Sequence, residues 1–112
     1  MSQITTHVLD TTKGMTAPGI NVVLYHHLSN SWIEVANGLT NMDGRISDLL
    51  PKELLLEAGT YKIKFETKFY FDQLEMPTFY PYVEVVFDIK DNIHYHVPLL
   101  ISPFGYSTYR GS

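Results

Sequence analysis

Cysteine is absent from the 112 residues. That absence excludes disulfides, thiolate catalysis and cysteine-held zinc or iron–sulfur centres, so any chemistry falls to His, carboxylate, hydroxyl, Lys or Arg. Basic residues are few and scattered: 8 Lys and Arg against 12 Asp and Glu leave a formal net charge of −4. Without a basic cluster, nucleic acid and anionic membrane surfaces are poor partners, which leaves a small molecule or another protein chain. Long apolar runs are missing as well. Residues 22–25 and 97–101 are examples of the short runs present, far short of the ~20 needed for a membrane-crossing helix. Met1 is followed by neither a basic opening nor an apolar stretch, so no secretory signal is read and a cytoplasmic location is expected.

The rest of the composition, 45% apolar, 18% charged and 13% aromatic, is that of a chain that collapses around a core. A length of 112 residues suits one domain, expected over 1–112. Segments of apolar/polar alternation recur between Gly, Asn, Asp and Pro, the pattern of an antiparallel all-β sandwich or barrel. Strands are predicted over residues 4–10, 21–27, 32–36, 44–47, 60–67, 82–89, 94–101 and 106–110. The clearest is Tyr61-Lys62-Ile63-Lys64-Phe65-Glu66, with Tyr61, Ile63 and Phe65 on one face and the charges on the other. Lys13-Gly14, Asn37-Gly38, Asp43-Gly44 and Ala58-Gly59 offer turn glycines. One stretch departs from the period of two. Tyr70, Phe71 and Leu74 stand at helical spacing ahead of Pro77, which predicts a short helix over 68–76 crossing between sheets.

Five histidines carry most of the potential chemistry. On a strand over 94–101, His94, His96, Pro98 and Leu100 share one face, while Tyr95, Val97, Leu99 and Ile101 take the other. Pro98 suggests an edge strand, because it cannot donate to a ladder; the histidines are then ordinary exposed side chains. The opposite reading makes their face a site. His7 shares a face with Thr5 and Leu9, opposite Thr6, Val8 and Asp10. A neutral imidazole near pH 7 can take a proton from water, and a second one can orient that water or relay the proton. His94, His96 and His7 also form a pattern that three nitrogen ligands of a hydrolytic zinc would require. Arg45, in Asn41-Met42-Asp43-Gly44-Arg45, supplies a planar fork for an anionic or carbonyl-rich ring, or else a solvated hairpin charge. His26 and His27 precede a turn-like segment and receive no role. The polar tail Tyr106-Ser107-Thr108-Tyr109-Arg110-Gly111-Ser112 follows an apolar strand directly, where many chains merely fray. No glycine-rich phosphate loop and no nucleophile elbow is present.

Four separated motifs, in order, carry a resemblance. They are Thr6-His7-Val8-Leu9-Asp10, Asn41-Met42-Asp43-Gly44-Arg45, His94-Tyr95-His96-Val97-Pro98-Leu99-Leu100 and the terminal Tyr109-Arg110-Gly111-Ser112. Through them the chain resembles the 5-hydroxyisourate hydrolases, the transthyretin-like enzymes of urate breakdown, nearly end to end. The tail is similar to that of the enzymes and unlike that of hormone-carrying transthyretins. The resemblance implies a prealbumin-like (transthyretin-like) sandwich of two four-stranded sheets with one short helix. It also implies a homotetramer, a dimer of dimers with active sites between the dimers, and hydrolysis of 5-hydroxyisourate without metal or other cofactor. Its functional positions fall on His7, Arg45, His96 and Ser112, with Tyr109 against the substrate and Ser112 closing the site. Which histidine is the base is left open. The alternative from another class is a transthyretin-like carrier that holds an aromatic ligand in the channel between dimers.

Overall fold

The computed structural model describes residues 2–112; Met1, the first residue of the expected domain, lies outside the described residues. Nine strands and one helix follow one another as β1 (Ile4–Asp10), β2 (Met15–Thr16), β3 (Asn21–Leu28), β4 (Ser31–Leu39), β5 (Arg45–Ile46), β6 (Gly59–Phe65), α1 (Thr67–Gln73), β7 (Val83–Ile89), β8 (Tyr95–Ser102) and β9 (Gly105–Thr108). One sheet runs β2-β1-β8-β9, with β5 also paired to β1; the other runs β4-β3-β6-β7. The all-β sandwich with one short helix is therefore found, its first sheet counting five strands because β2 and β5 are two-residue pieces.

Alternation explains which faces meet. In β1, Ile4, Thr6, Val8 and Asp10 are buried while His7 and Leu9 are half-buried; in β8, Tyr95, Val97, Leu99 and Ile101 point inward. Ile4 and Val8 of β1 and these four residues of β8 pack with Val22 and Leu24 of β3, Tyr61, Ile63 and Phe65 of β6, and Val83 and Ile89 of β7 in one apolar cluster. The β3–β4 hairpin closes through Ser29 and Asn30, both at positive φ, the primed turn whose twist matches paired strands.

Four expectations are corrected. β1 and β8 run parallel, in register from Ile4↔Tyr95 to Asp10↔Ile101, inside a sheet expected to be wholly antiparallel. β8 is an interior strand flanked by β1 and β9, so Pro98 does not mark an edge. Gly38 is no turn residue: it pairs with Val22 within β4, and a Cβ there would meet Ile46 and Leu49 only at ordinary contact distance. Helix α1 does not cross between sheets; it joins β6 to β7, which are neighbours in one sheet. Its buried Thr67, Tyr70 and Phe71 face inward, and Tyr70 Oη donates to Asp10 Oδ2 at 2.7 Å. Asp10 Oδ1 accepts from the Thr12 and Lys13 amides, so this fully buried carboxylate is partnered on both oxygens.

Candidate active site

The outward face of the five-stranded sheet gathers the residues singled out in the sequence. In the β1·β5 register His7 stands directly opposite Arg45, and across β1 on its other side lies β8, where Thr5 pairs with His96 and His7 with Pro98. Side chains of residues two apart on β1, and those opposite them, project to the same side. His7, Arg45, Thr5 and His96 therefore form one patch.

Local chemistry delivers Arg45. Asn41 closes the turn that precedes β5: its carbonyl accepts the Gly44 amide at 2.9 Å, and its side-chain oxygen accepts the amides of Asp43 at 2.9 Å and Arg45 at 3.1 Å. Gly44 has φ +72°, and a Cβ on it would collide with the Val8 carbonyl oxygen. That closeness lets the Val8 amide donate to Gly44 O at 2.8 Å, tying the turn to β1 beside His7.

Pro98 shapes the other side. The β8·β9 ladder runs from Ser102↔Gly105 to Leu99↔Thr108. It then skips Pro98, which has no N–H to offer, and resumes in the same register at the isolated bridge His96↔Gly111. Across the gap the Thr108 hydroxyl donates to Pro98 O at 2.6 Å, and the Gly111 amide donates to His96 O at 2.9 Å. Tyr109 and Arg110 are thereby released from pairing, and the Arg110 guanidinium lies over the Tyr95 ring, 4.6 Å from its centre. Gly111 is required by proximity: a Cβ would stand 2.5 Å from His96 Cδ2 and 3.2 Å from Pro98 Cγ. The tail is pinned against His96 rather than frayed.

Beside this patch lies an open cleft of about 230 Å³ whose walls include Thr5, Arg45, Ser47, His94, His96 and Ser112. Three of the sequence-derived residues, Arg45, His96 and Ser112, thus share one cavity. His7 does not line it but neighbours Arg45. Tyr109, 60% exposed, lines a second opening of about 260 Å³ with Val85, Phe87, Tyr95 and Arg110, at the mouth between the sheets. His96 borders both cavities.

Electrostatics suit proton acceptance. Burial holds His96 below the usual 6.5, and the Arg45 guanidinium, His94 and His7 add to the effect against an opposing hydrogen bond at the Thr5 backbone. His7 is lowered by burial and then by Arg45, opposed by the Asp43 carbonyl and carboxylate. Both rings are therefore neutral at pH 7. Among the described residues no group of three or more His, Cys, Asp or Glu is placed to share a metal ion. The near nitrogens of His94 and His96 instead meet one hydroxyl, that of Thr5. Thr5 and Gly111 were given no role from sequence. Alternation had put Thr5 on the face of His7, but only the strand pairing reveals that it adjoins His96.

The HIUase/Transthyretin family model matches residues 4–111. A 5-hydroxyisourate hydrolase of Salmonella dublin is 46% identical over 110 residues, covering 97% of this chain and 80% of that protein. A mouse 5-hydroxyisourate hydrolase is also 46% identical, over 99% of this chain and 96% of its own length. Among solved structures, Klebsiella pneumoniae 5-hydroxyisourate hydrolase superposes with a TM-score of 0.86 at 36% identity, covering 97% and 98% of the two chains. Sea bream transthyretin in complex with thyroxine gives 0.92 at 30% identity, covering 98% and 95%. By this match of nearly its whole length, the chain belongs to the HIUase/Transthyretin family.

Proposed function

We infer that this protein is a 5-hydroxyisourate hydrolase that opens the six-membered ring at its cyclic amide, giving 2-oxo-4-hydroxy-4-carboxy-5-ureidoimidazoline in urate breakdown. The observation that carries the reading, beside the 5-hydroxyisourate hydrolases among its relatives, is the meeting of a neutral imidazole and a guanidinium in one cleft. Water is the nucleophile. His96 lines the cleft and takes the water proton, while His7, two register positions away on the same face, orients the water. Arg45 holds the carbonyl-rich ring and meets the charge that develops on the attacked oxygen. Ser112 closes the cleft from the tail side, and Tyr109 completes substrate contact from the adjoining opening. The working form in this proposal is a cytoplasmic homotetramer, supported by exposed apolar side chains that a partner copy could cover, Met42 and Phe104 among them. Light scattering tests the tetramer: a single-chain mass would remove it.

The test of function follows the ultraviolet decay of freshly generated 5-hydroxyisourate. The protein should accelerate it before and after treatment with a chelator. Loss on chelation would transfer the chemistry to a metal. No acceleration, together with retention of thyroxine, would favour a carrier, the reading that the backbone likeness to sea bream transthyretin keeps open.

Arg45 has a sharper test. Arg45→Lys keeps the positive charge but loses the planar fork, so KM should rise about tenfold while the melting temperature stays put. Unchanged kinetics would take Arg45 out of substrate binding.

A further inference from the structure

Thr5 Oγ1 stands 2.7 Å from His94 Nε2 and 2.8 Å from His96 Nδ1. A hydroxyl has a single proton to donate and two lone pairs to accept with. It can donate to only one of the two rings, so at least one ring must turn an N–H toward it. Two arrangements of neutral rings satisfy all three groups. In the first, His96 donates from Nδ1 to Thr5, Thr5 donates on to His94 Nε2, and His96 Nε2 keeps a free lone pair. In the second the direction is reversed, His96 Nε2 carries a proton, and the ring cannot serve as a base.

The reaction needs more than a base. Hydrolysing a cyclic amide to a carboxylate at neutral pH leaves one proton over: water gives one hydrogen to the departing nitrogen, and the other must leave the cleft. His96 is a poor place to store it, because it is half-buried and faces Arg45, His7 and His94. Thr5 is 8% exposed whereas His94 is exposed. A chain of hydrogen bonds thus leads from the half-buried ring through a buried hydroxyl to a ring in solvent.

We propose that Thr5 is a positioning residue that holds His96 with its proton on Nδ1, and that Thr5 and His94 together conduct the surplus proton from the cleft to solvent. The proposal rests on His96 being the base. As the water oxygen bonds to the carbonyl carbon, its proton passes to His96 Nε2, and that same proton goes on to the nitrogen as the ring C–N bond breaks. The acid proton of the new carboxyl group is then taken at Nε2. The Nδ1 proton moves to Thr5 Oγ1, the Thr5 proton moves to His94 Nε2, and His94 releases its Nδ1 proton to water. After product leaves, exchange of the Nε2 proton with solvent and the reverse shift along the chain restore the starting tautomers.

Three variants test this, all in the full chain. Thr5→Val keeps the shape and removes the hydroxyl; kcat should fall about tenfold to a hundredfold with little change in KM. Thr5→Ser should restore most of it. His94→Ala should slow turnover in weakly basic buffers and regain speed as imidazole is added, while wild type ignores imidazole. In parallel, nitrogen-15 NMR of the free protein should find His96 protonated on Nδ1, with that preference lost in Thr5→Val. Full kcat in Thr5→Val, or a His94→Ala rate indifferent to imidazole, with His96→Ala inactive, would overturn the proton path and leave the base in place. An active His96→Ala would instead overturn the base itself.

Discussion

His96→Ala should lower kcat by about a hundredfold to ten-thousandfold, the range that a positioned base supplies, while leaving the protein folded. The fold is expected to survive because His96 contributes to its sheet through the backbone: its carbonyl accepts from Gly111, and its register with Thr5 belongs to the main chain. The pH dependence gives an independent readout. A base must be unprotonated to act, and burial followed by Arg45 holds this ring below 6.5. The sign then follows: the acid limb of kcat/KM should be centred below pH 6.5, the rate falling as the ring takes up a proton before substrate arrives. A variant within tenfold of wild type would shift the base role to His7, whereas an acid limb centred above 6.5 would fit neither ring, because His7 is held below 6.5 as well.

Gly111→Ala should be nearly as damaging, although it adds only a methyl group. The new Cβ would stand 2.5 Å from His96 Cδ2 and 3.2 Å from Pro98 Cγ. Pro98 is fixed by its ring and by the Thr108 hydroxyl on its carbonyl. His96 is fixed by Thr5 at 2.8 Å. Either the imidazole swings off Thr5 or the tail lifts away and forfeits the Gly111 amide bond to His96 O. The first outcome misaligns the base, and the second removes Ser112 from the cleft. In both, kcat should drop about a hundredfold, since a shift of an ångström at the reacting groups has that effect. Stability should fall by only about 1 kcal/mol, the worth of one hydrogen bond. Calorimetry beside the ultraviolet assay separates the two, and full activity would show that the tail does not need to touch His96.

Much of this was legible in the sequence, because period-two alternation is a local property. The faces of β1 and β8 follow from it: Tyr95, Val97, Leu99 and Ile101 are inside, and His7 and His96 are not. The helix over Tyr70 and Phe71 and the turn at Asp43-Gly44 were equally local signals. Pairing between distant strands is not local. Pro98 read as an edge marker because a proline cannot donate, yet here the ladder gap it causes falls opposite the tail and frees Tyr109 and Arg110. Gly38 read as a turn because glycine commonly serves there, whereas it lies inside β4, paired with Val22. The opening that Tyr109 lines was the hardest to foresee, since alternation cannot say into which of two neighbouring openings a released side chain will turn.

The parallel pairing of β1 with β8 has a kinetic side. Thr6 and Val97 are 91 residues apart in sequence, yet the Thr6 hydroxyl donates to the Val97 carbonyl. The β3–β4 hairpin closes through a turn of two residues, Ser29 and Asn30, and can form in microseconds. Joining β1 to β8 must overcome the closure entropy of nearly the whole chain, the kind of contact that slows folding to milliseconds or seconds. His7, Thr5 and His96 become neighbours only at that last closure. During refolding, the return of hydrolysis would therefore time the completion of the entire fold, and a collapsed intermediate holding only the β4-β3-β6-β7 sheet would be catalytically silent.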